Sequence, residues 1–244
     1  MTQAGSARRS SRLVALDAFS LIAAAGLTAL SFARFETLPP FAWLPLLAFA
    51  ALAGWAFADF GSGLVHYLCD RFGREDTPLL GPAVIRPFRA HHRDPREITR
   101  HGFVELSGNN ALALTPLLAA SAGLAPSFGE ALLPSAAFSW LISASVGLFA
   151  TNQIHRWAHM TRPPRFARVL QRARLAISVE AHARHHTGAH DVAFCITNGW
   201  CNAPLDRARV WARVEWALRA SFGRRNSSEP QGRGGAGLTT EQRP

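Results

Sequence analysis

The chain has 244 residues, a formal net charge of +10, 48% apolar residues and three cysteines. That length suits one substantial domain; Cys69, Cys195 and Cys201 form no CxxC pair and no even disulfide set, which excludes a zinc ribbon and fits a reducing compartment. The basic charge is carried by arginine alone and would suit nucleic acid or an anionic membrane, but the apolar residues fall in long blocks, so a membrane is expected and nucleic acid is not.

Residues 1–12 are polar and carry Arg8, Arg9 and Arg12, and an apolar run follows from Leu13 to about Ala33 with Asp17 as its only charge. A cleaved signal sequence would share that pattern, but the run is long enough for a retained membrane helix. A second run, Phe41 to about Leu68, contains Asp59 and leads into His66 and Asp70. Residues 69–108 read as an arginine-rich loop with prolines, holding His91, His92 and His101. Two further apolar segments, about 111–125 and 136–154, predict a short helix kinked at Pro116 and a full span. Beyond His155 no segment is long and apolar enough to cross; residues 163–180 and 205–222 predict basic amphipathic helices on an anionic leaflet. The stretch from 224 is rich in Gly, Ser, Arg and Gln and predicts a disordered tail. The fold expected is all-α, polytopic, with about four transmembrane helices and a cytoplasmic histidine-rich cap. With the N-terminus inside, 25 of the 26 arginines fall on the cytoplasmic side, as the positive-inside rule demands.

Every histidine then shares one membrane face. His182, His185 and His186 stand at i, i+3 and i+4, a spacing that places them on one face of a helix. His155 and His159 are an i, i+4 pair, His66 precedes Asp70 by four, and His91 adjoins His92. One zinc would use three or four such ligands. Eight histidines and an aspartate suit two metals, and a nitrogen-rich set with open positions favours iron that activates oxygen. The candidate ligands are therefore His66, Asp70, His91, His92, His155, His159, His182, His185 and His186. Asp59, two helical turns before His66, could orient a histidine or be a hydrogen-bonded interfacial carboxylate. His101, Glu105, Asn152, His190 and Asn198 are further candidates for orienting ligands or positioning substrate. A haem electron carrier would face paired histidines mid-span, and a metal transporter would want ionisable groups along its spans; this chain has its histidines at span ends and few charges between them.

The segments DFGSGLVHYLCD (59–70), IRPFRAHHRDPREITRHGF (85–103), TNQIHRWAH (151–159) and HARHHTGAHDVAFCITNGWCNAPLD (182–206) resemble the lipid desaturase domain of the plasmanylethanolamine desaturase family. The chain departs from the pattern at Gly102, Ser107, Asn109 and Ala181. The resemblance covers about residues 55–218, within a membrane-embedded domain expected over residues 13–223, and implies two iron ions and O2 as co-substrate. It also implies two electrons from a cytochrome b5-like or ferredoxin-like donor. The expected substrate is a phospholipid in the bilayer, an alkyl ether converted at C1 and C2 to the vinyl ether of a plasmalogen. The alternatives are acyl desaturation of phosphatidylglycerol, as in a chloroplast relative, or a non-catalytic metal- or haem-binding membrane protein.

Overall fold

In the computed structural model, which describes residues 10–78 and 80–222, all regular structure among the described residues is helical. The polar segment before residue 10 and the tail expected from 224 lie outside the described residues. Helix α1 (Ser11–Ala33) opens on Ser10, whose hydroxyl accepts the Leu13 N–H, satisfying one of the free amides of the first turn. Helix α2 (Leu44–Arg71) follows a 3-10 turn and has Pro45 in its first turn, where the missing N–H costs no helical bond. Residues 69–108, predicted as a loop, instead contain the end of α2, a π-helical turn (Gly81–Ile85), α3 (Arg86–Arg93) and a 3-10 turn (Glu97–Arg100). Then come α4 (Phe103–Leu124) and α5 (Leu132–Ala158).

Among the described residues, three segments are long and apolar enough to cross a membrane: Ser11–Ala33, Phe41–Arg71 and Leu132–Ala158. Helix α4 starts eight residues before the predicted segment, and its opening turns carry Glu105, Ser107, Asn109 and Asn110. It runs on through Pro116, which apolar surroundings with no competing backbone partner permit.

The long helices pack in the order α1, α4, α5, α2. Small residues set the spacing of α2 and α5. A Cβ at Gly54 would lie 2.3 Å from the Trp140 carbonyl oxygen, and one at Gly147 would lie 2.6 Å from the Ala58 Cβ. The Ser143 hydroxyl adds a hydrogen bond to the Ala51 carbonyl at 2.6 Å. Residues ascend together along this seam, so α2 and α5 are parallel. Helix α1 is parallel to α4 in the same way, from Asp17 beside Gly108 to Arg34, which donates to the Ala122 carbonyl at 3.2 Å. Asn152 donates to the Leu106 carbonyl and Asn110 to that of Leu148, so α4 and α5 are antiparallel. One end of the bundle therefore gathers the C-termini of α2 and α5 and the N-termini of α1 and α4.

The bundle turns apolar residues outward and small polar ones inward. Phe19, Ile22, Phe49 and Leu133 are 68–78% exposed, while Ser20, Ser31, Ser62, Ser121, Ser145 and Thr151 are buried. Buried hydroxyls of Ser20, Ser31 and Ser121 donate to the carbonyl four residues back. In water this pattern would be unstable, whereas in a bilayer small residues drive helix association and lipid covers the outside. The chain is a membrane protein.

The C-terminal third is more broken than the sequence suggests. The helix expected over 163–180 is α6 (Arg165–Arg172), ended near Arg174 in a left-handed conformation, and then α7 (Val179–Ala183). The helix expected over 205–222 is split into α8 (Asn202–Arg207) and α9 (Val210–Phe222) by Arg209, also left-handed. Between α7 and α8, residues 184–201 form a strap with no regular structure, pressed against α2.

Candidate metal centre

Each histidine cluster lies at the bundle end just described. His66 and Asp70 are on the last turns of α2, His91 and His92 on the last turn of α3, and His155 and His159 at the end of α5. The fourth cluster, His182, His185 and His186, departs from the expectation of one shared helical face. Helix α7 ends at Ala183, and the His185 N–H bonds to the His182 carbonyl in a tighter turn. His182 and His186 consequently face one way and His185 another.

The nine candidate ligands form two groups, each with donor atoms within 4.8 Å of one another. One contains His91, His155, His159, His182 and His186; the other contains His66, Asp70, His92 and His185. The adjacent pairs divide, with His91 and His186 in the first group and His92 and His185 in the second. About 100° separates consecutive residues on a helix, so a His-His pair can address two neighbouring centres. The rings of His92 and His186, one from each group, have centroids only 5.2 Å apart.

In the first group the His182 Nε2 lies 2.9 Å from the Nε2 atoms of both His155 and His159, and 3.0 Å from that of His186. One imidazole proton can serve only one such contact. In the second group the His66 Nδ1 faces the Phe194 carbonyl at 3.1 Å and the His185 Nδ1 faces that of Val192 at 2.8 Å. Those carbonyls accept N–H bonds, which assigns the proton to Nδ1 and leaves each Nε2 as a bare lone pair. These two Nε2 atoms lie 3.3 and 3.1 Å from the Nε2 of His92. The Asp70 Oδ2 lies 3.3, 3.5 and 3.6 Å from the Nε2 atoms of His66, His92 and His185. Neither Asp70 oxygen has a hydrogen-bond partner among the described residues, and both are buried, as is the similarly unpartnered His91 Nε2. Buried lone pairs and a carboxylate converging this closely are repulsive without a cation. With bonds of about 2.1 Å, ligands on one metal stand roughly 3.0–3.4 Å apart, so the donors fit metal ions.

Protonation reinforces this. Burial first, then neighbouring imidazoles, pushes His182 and His91 far below the usual histidine range. The same causes take His92 and His186 down to about 3, while burial and His185 take His159 down to about 4. Neutral imidazole is the ligand form.

The remaining candidates take other places. Asp59 does not reach a histidine: its Oδ1 accepts the N–H groups of Thr197, Asn198 and Gly199 at 3.2, 2.9 and 2.9 Å, and its Oδ2 that of Cys201 at 2.9 Å. It anchors the strap that carries Phe194. Asn198 accepts the Trp200 N–H and so shapes the same strap. Asn152 bonds to Leu106 and Asn110 and joins α5 to α4. His190, left-handed at φ 51°, stacks on His92 at a centroid distance of 4.6 Å and belongs to neither group. His101 stands between Glu97 and Glu105, paired to the former through Nε2 and to the latter through Nδ1 at 2.9 Å.

The carbonyls of Val192 and Phe194 escape a sequence reading because a backbone oxygen leaves no residue signature. So do the groups that hold them: Ser62, which accepts the Ile196 N–H; Asn202, bonded to both backbone groups of Cys195; and Asp206, which accepts the N–H of left-handed Ala193.

The Glu97 and Glu105 carboxylates hold the His101 pKa above its ordinary 6.5, against the lowering effect of burial. A raised value means that the clamp's contribution to stability is full below pH 6.5 and fades as pH rises through the folded value. The thermal midpoint of H101Q should therefore fall furthest below that of the parent in mild acid and converge with it in alkali. A gap independent of pH would contradict a protonated clamp.

The lipid desaturase domain model matches residues 55–229. The chain is 40% identical over 182 residues to plasmanylethanolamine desaturase of Myxococcus xanthus, covering 72% of this chain and 62% of that one. It is 40% identical over 210 residues to plasmanylethanolamine desaturase 1 of Mus musculus, covering 84% of this chain and 74% of the relative. The chloroplastic fatty acid desaturase 4-like 1 of Arabidopsis thaliana is 34% identical over 188 residues, covering 74% of this chain and 59% of that one. No solved structure is significantly similar to the chain. The match takes in all four histidine clusters, and the chain belongs to the lipid desaturase domain family.

Proposed function

We propose that the protein is a membrane di-iron lipid desaturase that forms the vinyl ether bond of plasmalogens from alkyl ether phospholipids. The observation that carries this reading is the division of nine donors into two adjacent groups that share two His-His pairs. An unactivated C–H bond requires a metal-activated oxidant, and two neighbouring nitrogen-rich groups suit a pair of irons. Iron held there supplies O2 activation, with two electrons from a cytochrome b5-like or ferredoxin-like donor.

The protein's own part is to keep the ligands neutral and to fix the tautomers of His66 and His185 through the strap. It also excludes water with the apolar walls of Phe88 and Phe194, whose rings lie 5.0 and 5.7 Å from that of His66. The helix directions support four crossings: α4 runs antiparallel to α5 and alongside α1, so it follows the same path as the three apolar spans. Arginine placement supports the reading that the histidine end faces the cytoplasm at a bacterial inner membrane.

The test is lipid mass spectrometry on a plasmalogen-free bacterium expressing the chain and fed a saturated alkyl ether phospholipid, before and after acid treatment. A product lighter by two hydrogens and destroyed by acid is expected. An acid-stable product of that mass would favour acyl desaturation, the reading that the plant relative's name supports.

A further inference from the structure

A vinyl ether reaction constrains where the substrate's phosphate can lie. Six bonds join the first alkyl carbon of an sn-1 ether, through oxygen and the glycerol, to phosphorus, and an extended chain of that length spans about 7 Å. A lipid desaturated at its first two alkyl carbons must therefore keep its phosphodiester beside the metal centre. An acyl chain attacked at its middle has no such constraint. The ether reaction thus calls for an anion site adjoining the histidines at headgroup depth.

One cleft meets this requirement. Arg96, Thr99, His159, Met160, Thr161 and Arg162 line a surface cleft of about 350 Å³. His159 joins it to the first donor group, since its Nε2 lies 2.9 Å from that of His182 and 3.1 Å from that of His155. Helix α5 ends at Ala158, so Arg162 stands one turn's worth of chain beyond the span, where phosphates lie. The cleft's two sides are tied together: Arg156 of α5 donates to the Thr99 carbonyl at 3.1 Å, and the Thr99 hydroxyl to the Arg96 carbonyl at 2.7 Å. Arg96 and Arg162 are exposed and make no ion pair among the described residues, whereas nearby Arg100 is engaged by Asp94 at 2.6 Å. Two guanidinium groups without an ion pair among the described residues, though Arg96 lies in the field of Asp94, together with an exposed hydroxyl and a thioether, are a recognition set for a phosphodiester with a glycerol attached.

We propose that this cleft binds the phosphodiester of the phospholipid substrate, with Arg96 and Arg162 pairing its oxygens, Thr161 donating to it and Met160 against the glycerol. The proposal rests on the reading of the protein as a phospholipid desaturase. It makes the headgroup's phosphate, rather than the alkyl chain, the feature that places the first two carbons at the irons.

The test uses the full chain, iron-free and iron-loaded, in micelles holding equal amounts of an alkyl ether phosphatidylethanolamine and the matching phosphate-free alkylacylglycerol. Native mass spectrometry then counts which lipid stays bound. The parent should retain the phospholipid selectively, R96Q and R162Q should each lower that selectivity by about tenfold, and the double variant should abolish it. Iron content and helicity should be unchanged, because both side chains are exposed. Undiminished selectivity in the double variant would overturn the proposal. So would displacement of the lipid by excess inorganic phosphate alone, which would mark a free-anion site. Variants that keep lipid selectivity but are reduced more slowly by an acidic one-electron carrier would assign the cleft to the electron donor instead. Diacyl phosphatidylethanolamine separates the two readings. It carries the same phosphodiester without an ether, so selective retention of both phospholipids without vinyl ether formation would count against the reaction and leave the cleft standing.

Discussion

His182→Ala should reduce product at least about 1000-fold, a barrier increase of roughly 4 kcal/mol, and should lower bound iron from two per chain to one or none. His182 is the most closely surrounded donor of the first group, with three other Nε2 atoms within 3.0 Å, and it is 1% exposed. Plasma emission measurement of iron, with the optical and Mössbauer spectra of the loaded protein, would separate lost metal from lost folding. His190→Ala is the matched comparison, because His190 stacks on His92 but offers no donor to either group. It should keep both irons. Full iron and full turnover in H182A would remove the first group from the metal assignment, and equal iron loss in both variants would point to general destabilisation.

The site was more legible in the sequence than the backbone that holds it. Histidine clustering at His66, His91, His155 and His182, with Asp70 one turn beyond His66, stood out against the apolar spans and singled out the nine residues that the structure gathers into two groups. The same code could not say how they divide. His91 and His92 look like one cluster in the sequence, as do His185 and His186, yet each pair is split between two groups. That split depends on where α3 and α7 end, and helix ends are set by local capping and tertiary contacts rather than by hydrophobic period. Spans were legible because lipid imposes a length. Helix α4 was less so, because its polar opening, Glu105 to Asn110, packs beside α1 and α5 instead of facing lipid or water. Asp59 was visible as a costly intramembrane carboxylate, but its partners are four backbone amides more than 130 residues away, and nothing in residue spacing identifies an amide.

Those four amides make Asp59→Asn the second variant with a large expected effect. The carboxylate is fully buried and accepts on both oxygens, three N–H groups at Oδ1 and one at Oδ2. Asparagine has nearly the same shape but only one acceptor atom. Turned to serve Thr197, Asn198 and Gly199, it points its own NH2 at the Cys201 N–H; turned the other way, it abandons three donors. Buried donors left facing a donor, together with loss of the charge that four dipoles were arranged around, should cost about 3–5 kcal/mol. The loss should be local in its chemistry. The strap from Ala193 to Cys201 carries the Phe194 carbonyl that holds the His66 tautomer, so the four-donor group should lose its iron while the five-histidine group keeps one. Ser62→Ala removes a single hydrogen bond from the same strap, to the Ile196 N–H at 3.1 Å. It should cost only about 1 kcal/mol and retain both irons. A D59N protein that unfolds at the parental temperature with two irons would show that the His66 tautomer is held by α2 alone. One iron in D59N and two in S62A would show that a carboxylate two helical turns from the nearest ligand governs that ligand through the backbone it grips.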